Sequence, residues 1–160
     1  MVPRLTPLVL LSGDPATNDG IVRQLIRIGY DRLTGYVWGD LEAWVQAGLS
    51  TEGTDPVDVD TLQKSQQQSP DTLILDVRQL NEFQSGHIQG SLNIELGELT
   101  EHLDGLPREL PIVVLCASSM RATIAGSILR RDGRDNIRVV EIDGAPQWIA
   151  RGYPSASGDE

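Results

Sequence analysis

Four consecutive apolar residues, Ile112, Val113, Val114 and Leu115, run directly into Cys116, the only cysteine among 160 residues. A strand that is apolar at every position cannot present either face to water, so it belongs inside a sheet covered by helices on both sides. The short loop Ala117, Ser118, Ser119 then leads into a helix in which Ile124, Ala125, Ile128 and Leu129 form a buried stripe. Strand, tight loop and helix start place a thiol beside backbone N–H groups, a geometry that holds anions and favours a thiolate.

The same alternation extends along the chain. Residues 8–11 read as a strand ended by Ser12, Gly13, Asp14 and Pro15, followed by a helix carrying Ile21, Val22, Leu25 and Ile26 as far as Gly29. Residues 31–37 read as a strand and 40–47 as a helix with Leu41, Trp44 and Val45 on one face. Residues 51–56 are a polar linker, and 57–62 a short strand or turn entering a helix. Residues 64–70, rich in glutamine and serine, are expected as exposed loop or helix end. Beyond them come a strand over 72–77, a helical turn over 82–87, a short strand over 90–94, and helical pieces over 96–103 and 106–110 limited by Pro107 and Pro111. A strand over 137–142 and a helix over 146–151 complete an α/β fold with a mainly parallel sheet flanked by helices.

A shift of 104 positions lays the first fifty residues on the end of the chain. Ser12 falls on Cys116, Leu25 on Leu129, Gly29 on Gly133, Trp44 on Trp148 and Gly48 on Gly152. A rare Trp matched together with its following glycine marks an internal duplication. The expected organisation is therefore a βαβα half-domain over 1–50, a linker, a complete domain over 57–155 and a flexible tail over 156–160. The half-domain leaves a sheet edge to be covered, by the complete domain, by another copy in a dimer, or by the rest of a larger parent protein. Ser12 is expected as a turn or capping residue without a catalytic role, and Trp44 and Trp148 as core anchors.

Composition removes several classes. A formal net charge of −10 opposes nonspecific binding to nucleic acid or anionic membranes. No apolar stretch approaches the ~18–20 residues that span a bilayer, so a soluble, cytoplasmic protein is expected. One cysteine admits no internal disulfide, and with two histidines it leaves no set of four zinc ligands. Neither a metal nor another cofactor is assigned. Arg121, Arg130, Arg131, Arg134 and Arg138 form a basic cluster after the cysteine, read either as a solvated helix and turn or as an approach surface for small anions.

A lone cysteine closing a strand is commonly a core residue, but here the polar loop and Arg121 favour a nucleophile. The helix start near Met120 and the charge of Arg121 both stabilise a thiolate. Asp76, at a strand end, and Arg78 are expected to form charge-assisted hydrogen bonds, with Glu82 as a partner of Arg78. His87 is expected to fix a turn by bonding backbone.

Three segments in order carry a specific likeness. The string from Asp76, Val77, Arg78 through Glu82, Phe83, Gly86, His87 and Ile88 to Asn93 and Ile94 resembles the leading signature of the rhodanese (sulfurtransferase) family. Cys116 to Arg121 resembles its six-residue active loop, and Asp143, Gly144, Ala145, Pro146, Gln147, Trp148 with Gly152, Tyr153 and Pro154 resembles its closing segment. The resemblance implies a rhodanese-type sulfurtransferase in which Cys116 takes sulfane sulfur from a small donor, becomes a persulfide and passes the sulfur to a thiol or other nucleophile. Ala117, Ser118, Ser119, Met120 and Arg121 would form the cradle, with Asp76, Arg78, Glu82 and His87 as structural support. Related phosphatases have a loop one residue longer, so six residues favour sulfur over phosphate or arsenate. A regulatory module with an inert loop is the other alternative.

Two departures from the family pattern stand out. Ser119 replaces a usual glycine and is expected to narrow the cradle, while Ala117 and Ser118 lack the basic side chains of thiosulfate-preferring members. That implies a persulfide, polysulfide or protein-bound donor. Ile28, Gly29, Tyr30 and Asp31 with Gly35, Tyr36 and residues 41–49 also resemble the rhodanese-like part of fusions with a metallo-β-lactamase-fold domain, which implies that this chain is the tail of such a fusion or a free partner of one. With the uncovered sheet edge, a homodimer or a persulfide-metabolising protein partner meeting residues 1–50 is expected.

Overall fold

The computed structural model describes residues 2–12, 14–51, 53–69 and 71–158. The chain divides into two compact units, residues 1–52 and 53–160.

Unit 1 contains β1 (Leu8–Ser12), α1 (Pro15–Arg27), β2 (Leu33–Trp38) and α2 (Leu41–Gln46). The two strands form a parallel pair. Both helices start where an aspartate accepts a backbone N–H that the first turn leaves without a partner: Asp14 takes that of Ala16 and Asp40 that of Ala43, each at 2.9 Å. Ser12 is not the cap itself. Its hydroxyl donates to the Asp14 carbonyl. Gly13, placed by sequence at this turn, lies outside the described residues. Trp44 is half-exposed rather than a core anchor, because a two-stranded sheet offers too little cover to bury an indole.

Unit 2 is built on a five-stranded parallel sheet. In chain order its elements are β3 (Asp55–Val57), α3 (Val59–Gln68), β4 (Leu73–Asp76), α4 (Leu80–Ser85), β5 (His87–Ile88), β6 (Leu92–Asn93), β7 (Ile112–Leu115), α5 (Met120–Arg131), β8 (Ile137–Val140), α6 (Ala145–Ala150) and β9 (Ser155–Ala156). The sheet order is β3-β8-β7-β4-β6, which puts the all-apolar β7 at the centre. Alternation along the strands splits the core in two. Leu75, Ile112, Val114, Ile137 and Val139 pack with Ala122, Ala125 and Leu129 of α5 and with Leu99 and Leu106. Ile74, Val113, Leu115 and Val140 pack on the other face with Leu62 of α3 and Trp148 of α6. Gly126 lets α5 approach β8, since a Cβ there would stand 2.7 Å from Val139.

Several boundaries differ from expectation. Asp55 and Pro56, read as linker, belong to β3, because β8 offers them a parallel edge to pair with. The glutamine-rich run is helical as far as Gln68, started by Asp58 accepting the Thr61 N–H, and Pro70 lies outside the described residues. Residues 96–110 form only two short 3-10 turns, Leu99–Glu101 and Leu103–Gly105, with no helix over 106–110, where the prolines deny the chain a full turn. The start of the tail is ordered: β9 pairs antiparallel with β5, while Asp159 and Glu160 lie outside the described residues. Among the described residues, no helix is long and apolar enough to cross a membrane.

Candidate active site

Cys116 leaves the carboxyl end of β7 from the middle of the sheet, and its side chain is only 1% exposed. The chain then turns through Ala117, Ser118 and Ser119 into α5. The first N–H groups of that helix have no intrahelical acceptors and lie at the loop. Ser119 has φ −174°, outside the positive-φ range that favours glycine, so its backbone does not call for a glycine on that ground. Ser118 and Met120 are exposed and form the outer side of the loop.

The closing segment builds the opposite wall. The Ala145 N–H donates to the Cys116 carbonyl at 2.9 Å. Gly144 lies flat against the loop, and a Cβ there would collide with the carbonyl oxygens of Cys116 and Ala117. Glycine is needed here for close approach, not for an unusual dihedral.

Arg121 does not stand free. Its guanidinium forks onto Glu82 with bonds of 2.6 and 2.8 Å, a pair roughly one-third exposed on each side. The Arg121 hydrogen bond, ahead of the other causes, lowers the Glu82 carboxyl to about 2. Arg121 is held protonated above the usual arginine range, chiefly by its hydrogen bond to Glu82. Glu82 also accepts the Gln79 N–H at 3.1 Å, closing a capping box on α4.

This overturns the expected Arg78–Glu82 pair. Arg78 is buried against Asp76, the other expected partner, with bonds of 2.7 to 3.0 Å, and donates to the Gly86 carbonyl at 2.8 Å. A partner two residues away satisfies Arg78 and leaves Glu82 for a cation 39 positions on. His87 is buried in β5, its Nδ1 2.9 Å from the Phe83 carbonyl and its ring stacked on Phe83 at 3.7 Å. Asn93 donates to the carbonyls of Asp76 and Arg78. Arg78 and His87 thus hold the C-terminal end of α4, the helix that delivers Glu82 to Arg121.

The basic cluster does not form an anion approach surface. Arg134 is buried and donates to the carbonyls of Leu103, Leu106 and Pro107; Arg138 pairs with Asp55 at 3.2 Å; Arg130 donates to the Ile137 carbonyl. These arginines stitch segments of unit 2 together. Gly144 and Asn93, both inside the quoted signature strings, gained no role from sequence because their contacts are with distant backbone. The collision course of Gly144 in particular has no local signal.

A cysteine at the end of the central strand of a parallel α/β sheet, with a six-residue loop closing on an arginine, defines a class of thiol-centred domains. The chain matches the family of rhodanese-like domains over residues 58–150 and belongs to that family. It is 37% identical over 60 residues to the Bacillus subtilis protein YqhL, covering 38% of this chain and 48% of that one. The chain spans less than half the length of the first curated relatives it matches. A rhodanese-related protein from Thermoplasma volcanium has a similar structure, with a TM-score of 0.55, 31% identity, and coverage of 64% of this chain and 97% of that one. A thiosulfate sulfurtransferase from Pseudomonas aeruginosa shares the fold at 20% identity and a TM-score of 0.57, over 98% of this chain and 33% of that one.

Proposed function

We propose that this chain is a sulfurtransferase in which Cys116 carries sulfane sulfur. The observation that supports this most directly is the placement of the thiol at the start of a six-residue loop, at the end of the central strand, with the loop closed by an arginine paired to Glu82. In the first step the Cys116 thiolate attacks the outer sulfur of a donor, forming a Cys116 S–S bond while the donor's bond to that sulfur breaks and the rest of the donor leaves with the electron pair as a thiolate or sulfite. In the second, an acceptor thiolate attacks the outer sulfur and departs as a persulfide, restoring the Cys116 thiolate. No external oxidant or reductant enters either step.

The cradle also bears on the donor. Ala117 and Ser118 are neutral, and the charge of Arg121 is matched by Glu82. A dianion such as thiosulfate gains little there, which favours a persulfide, a polysulfide or a protein-bound donor.

The test is intact mass of the reduced chain after exposure to glutathione persulfide, polysulfide or thiosulfate. A gain of one sulfur, about 32 Da, that cyanide removes and that Cys116→Ser abolishes is the expected result. No gain with any of the three donors refutes the proposal, and release of phosphate from aryl phosphates would point to hydrolysis instead.

A further inference from the structure

A shift of 104 residues carries β1 onto β7, α1 onto α5, β2 onto β8 and α2 onto α6. The surroundings of the matched elements differ. In unit 2, β7 lies between β4 and β8, and β3 flanks β8, whereas β1 and β2 pair only with each other among the described residues. Val9 is 59% exposed where Val113 is 2%, Leu11 51% where Leu115 is 0%, and Trp44 37% where Trp148 is 1%. Along α1, Ile21, Gln24, Leu25 and Ile28 line an open apolar groove of about 470 Å³. The counterparts of Ile21, Gln24 and Leu25, namely Ala125, Ile128 and Leu129, are buried with Leu99 and Leu106.

What unit 1 lacks is what residues 53–106 supply in unit 2. They provide β4 at the free edge of the matched strand, α3 against the face of Val113 and Leu115, and a leucine-bearing segment against the helix. We propose that residues 2–50 are a docking surface for the strand–helix first half of a rhodanese-like domain carried by another polypeptide segment. Its strand pairs parallel with β1, its helix covers Val9 and Leu11, and its leucines fill the α1 groove.

Charge distinguishes this occupant from residues 53–106 of a second copy. That stretch holds ten acidic and two basic residues, and residues 107–158 hold five acidic and seven basic. Glu82–Arg121, Asp55–Arg138 and Asp60–Arg151 join the two halves. At the positions of those three arginines unit 1 has Thr17, Thr34 and Ala47. A second copy's segment would bring its three carboxylates to positions where unit 1 has Thr17, Thr34 and Ala47 in place of the arginines, which is discrimination by a missing partner. The fitting occupant keeps the apolar pattern and lacks those acids.

The test extends the full chain ahead of Val2 with residues 53–106 bearing D55N, D60N and E82Q, on a flexible linker that raises the effective concentration. Amide exchange over Leu8–Ser12 is expected to slow at least about tenfold, and tryptophan emission to move to shorter wavelength as Trp44, the counterpart of the buried Trp148, is covered. Adding L11D at the docking face should restore fast exchange in β1 and leave β7 protected. Equal exchange at β1 with and without the extension overturns the proposal. So does a dimer of the unextended chain, detected by sedimentation, that already protects β1. Neither readout involves sulfur transfer, so the result stands apart from the activity of Cys116.

Discussion

Replacing Glu82 by glutamine isolates the contact that joins the leading signature to the active loop. The carboxyl is lowered from 4.5 to about 2, chiefly by the Arg121 hydrogen bond, and that difference at full value is about 3 kcal/mol. Both side chains are nearly one-third exposed, so solvent screening reduces the expected loss at pH 7 to about 1–2 kcal/mol. Because the folded-state value is depressed, this stability is fully present above the unfolded value near 4.5 and is lost as pH falls towards 2. Denaturant unfolding of the natural chain and Glu82→Gln, followed at pH 7 and pH 3, should show a gap that at least halves at the lower pH. Sulfur loading of Cys116 should slow as well, since Arg121 is no longer aimed by its partner. An equal gap at both pH values would refute the electrostatic reasoning, and no gap at either would show that the pair contributes nothing.

Two further substitutions probe the frame around the loop. Gly144→Ala forces a Cβ into the backbone of Cys116 and Ala117; a displacement of the order of 1 Å should cut the loading rate about a hundredfold, with circular dichroism showing the fold retained. Arg78→Ala strands the buried Asp76 carboxylate and should cost about 3–5 kcal/mol in chemical denaturation, whereas Asp76→Asn combined with Arg78→Met should recover part of that loss by removing both charges.

The α/β class and the position of the thiol were legible in short stretches of sequence because their causes are local. Four apolar residues in a row require cover on both faces of a sheet, and Cys116 follows them directly. The Asp caps of α1, α2 and α3 act within three residues and mark helix starts. The pairing of Glu82 was misread because local proximity favoured Arg78, while Asp76 had already satisfied that arginine from two residues away. The basic cluster stays open between a solvated helix and an anion surface in the sequence because composition does not say whether a guanidinium meets solvent or backbone carbonyls. Arg134 and Arg130 meet carbonyls, and Arg138 meets Asp55.

Sequence alone thus determined the central strand, the loop that follows it and the place of the cysteine between them, since hydrophobic period and chain adjacency act over a few residues. Only the tertiary structure decided which cation Glu82 holds, how closely Gly144 presses on the loop, and that Ser119 avoids the positive-φ range. Those outcomes depend on segments tens of residues apart meeting in space, and on the backbone angles that their packing imposes.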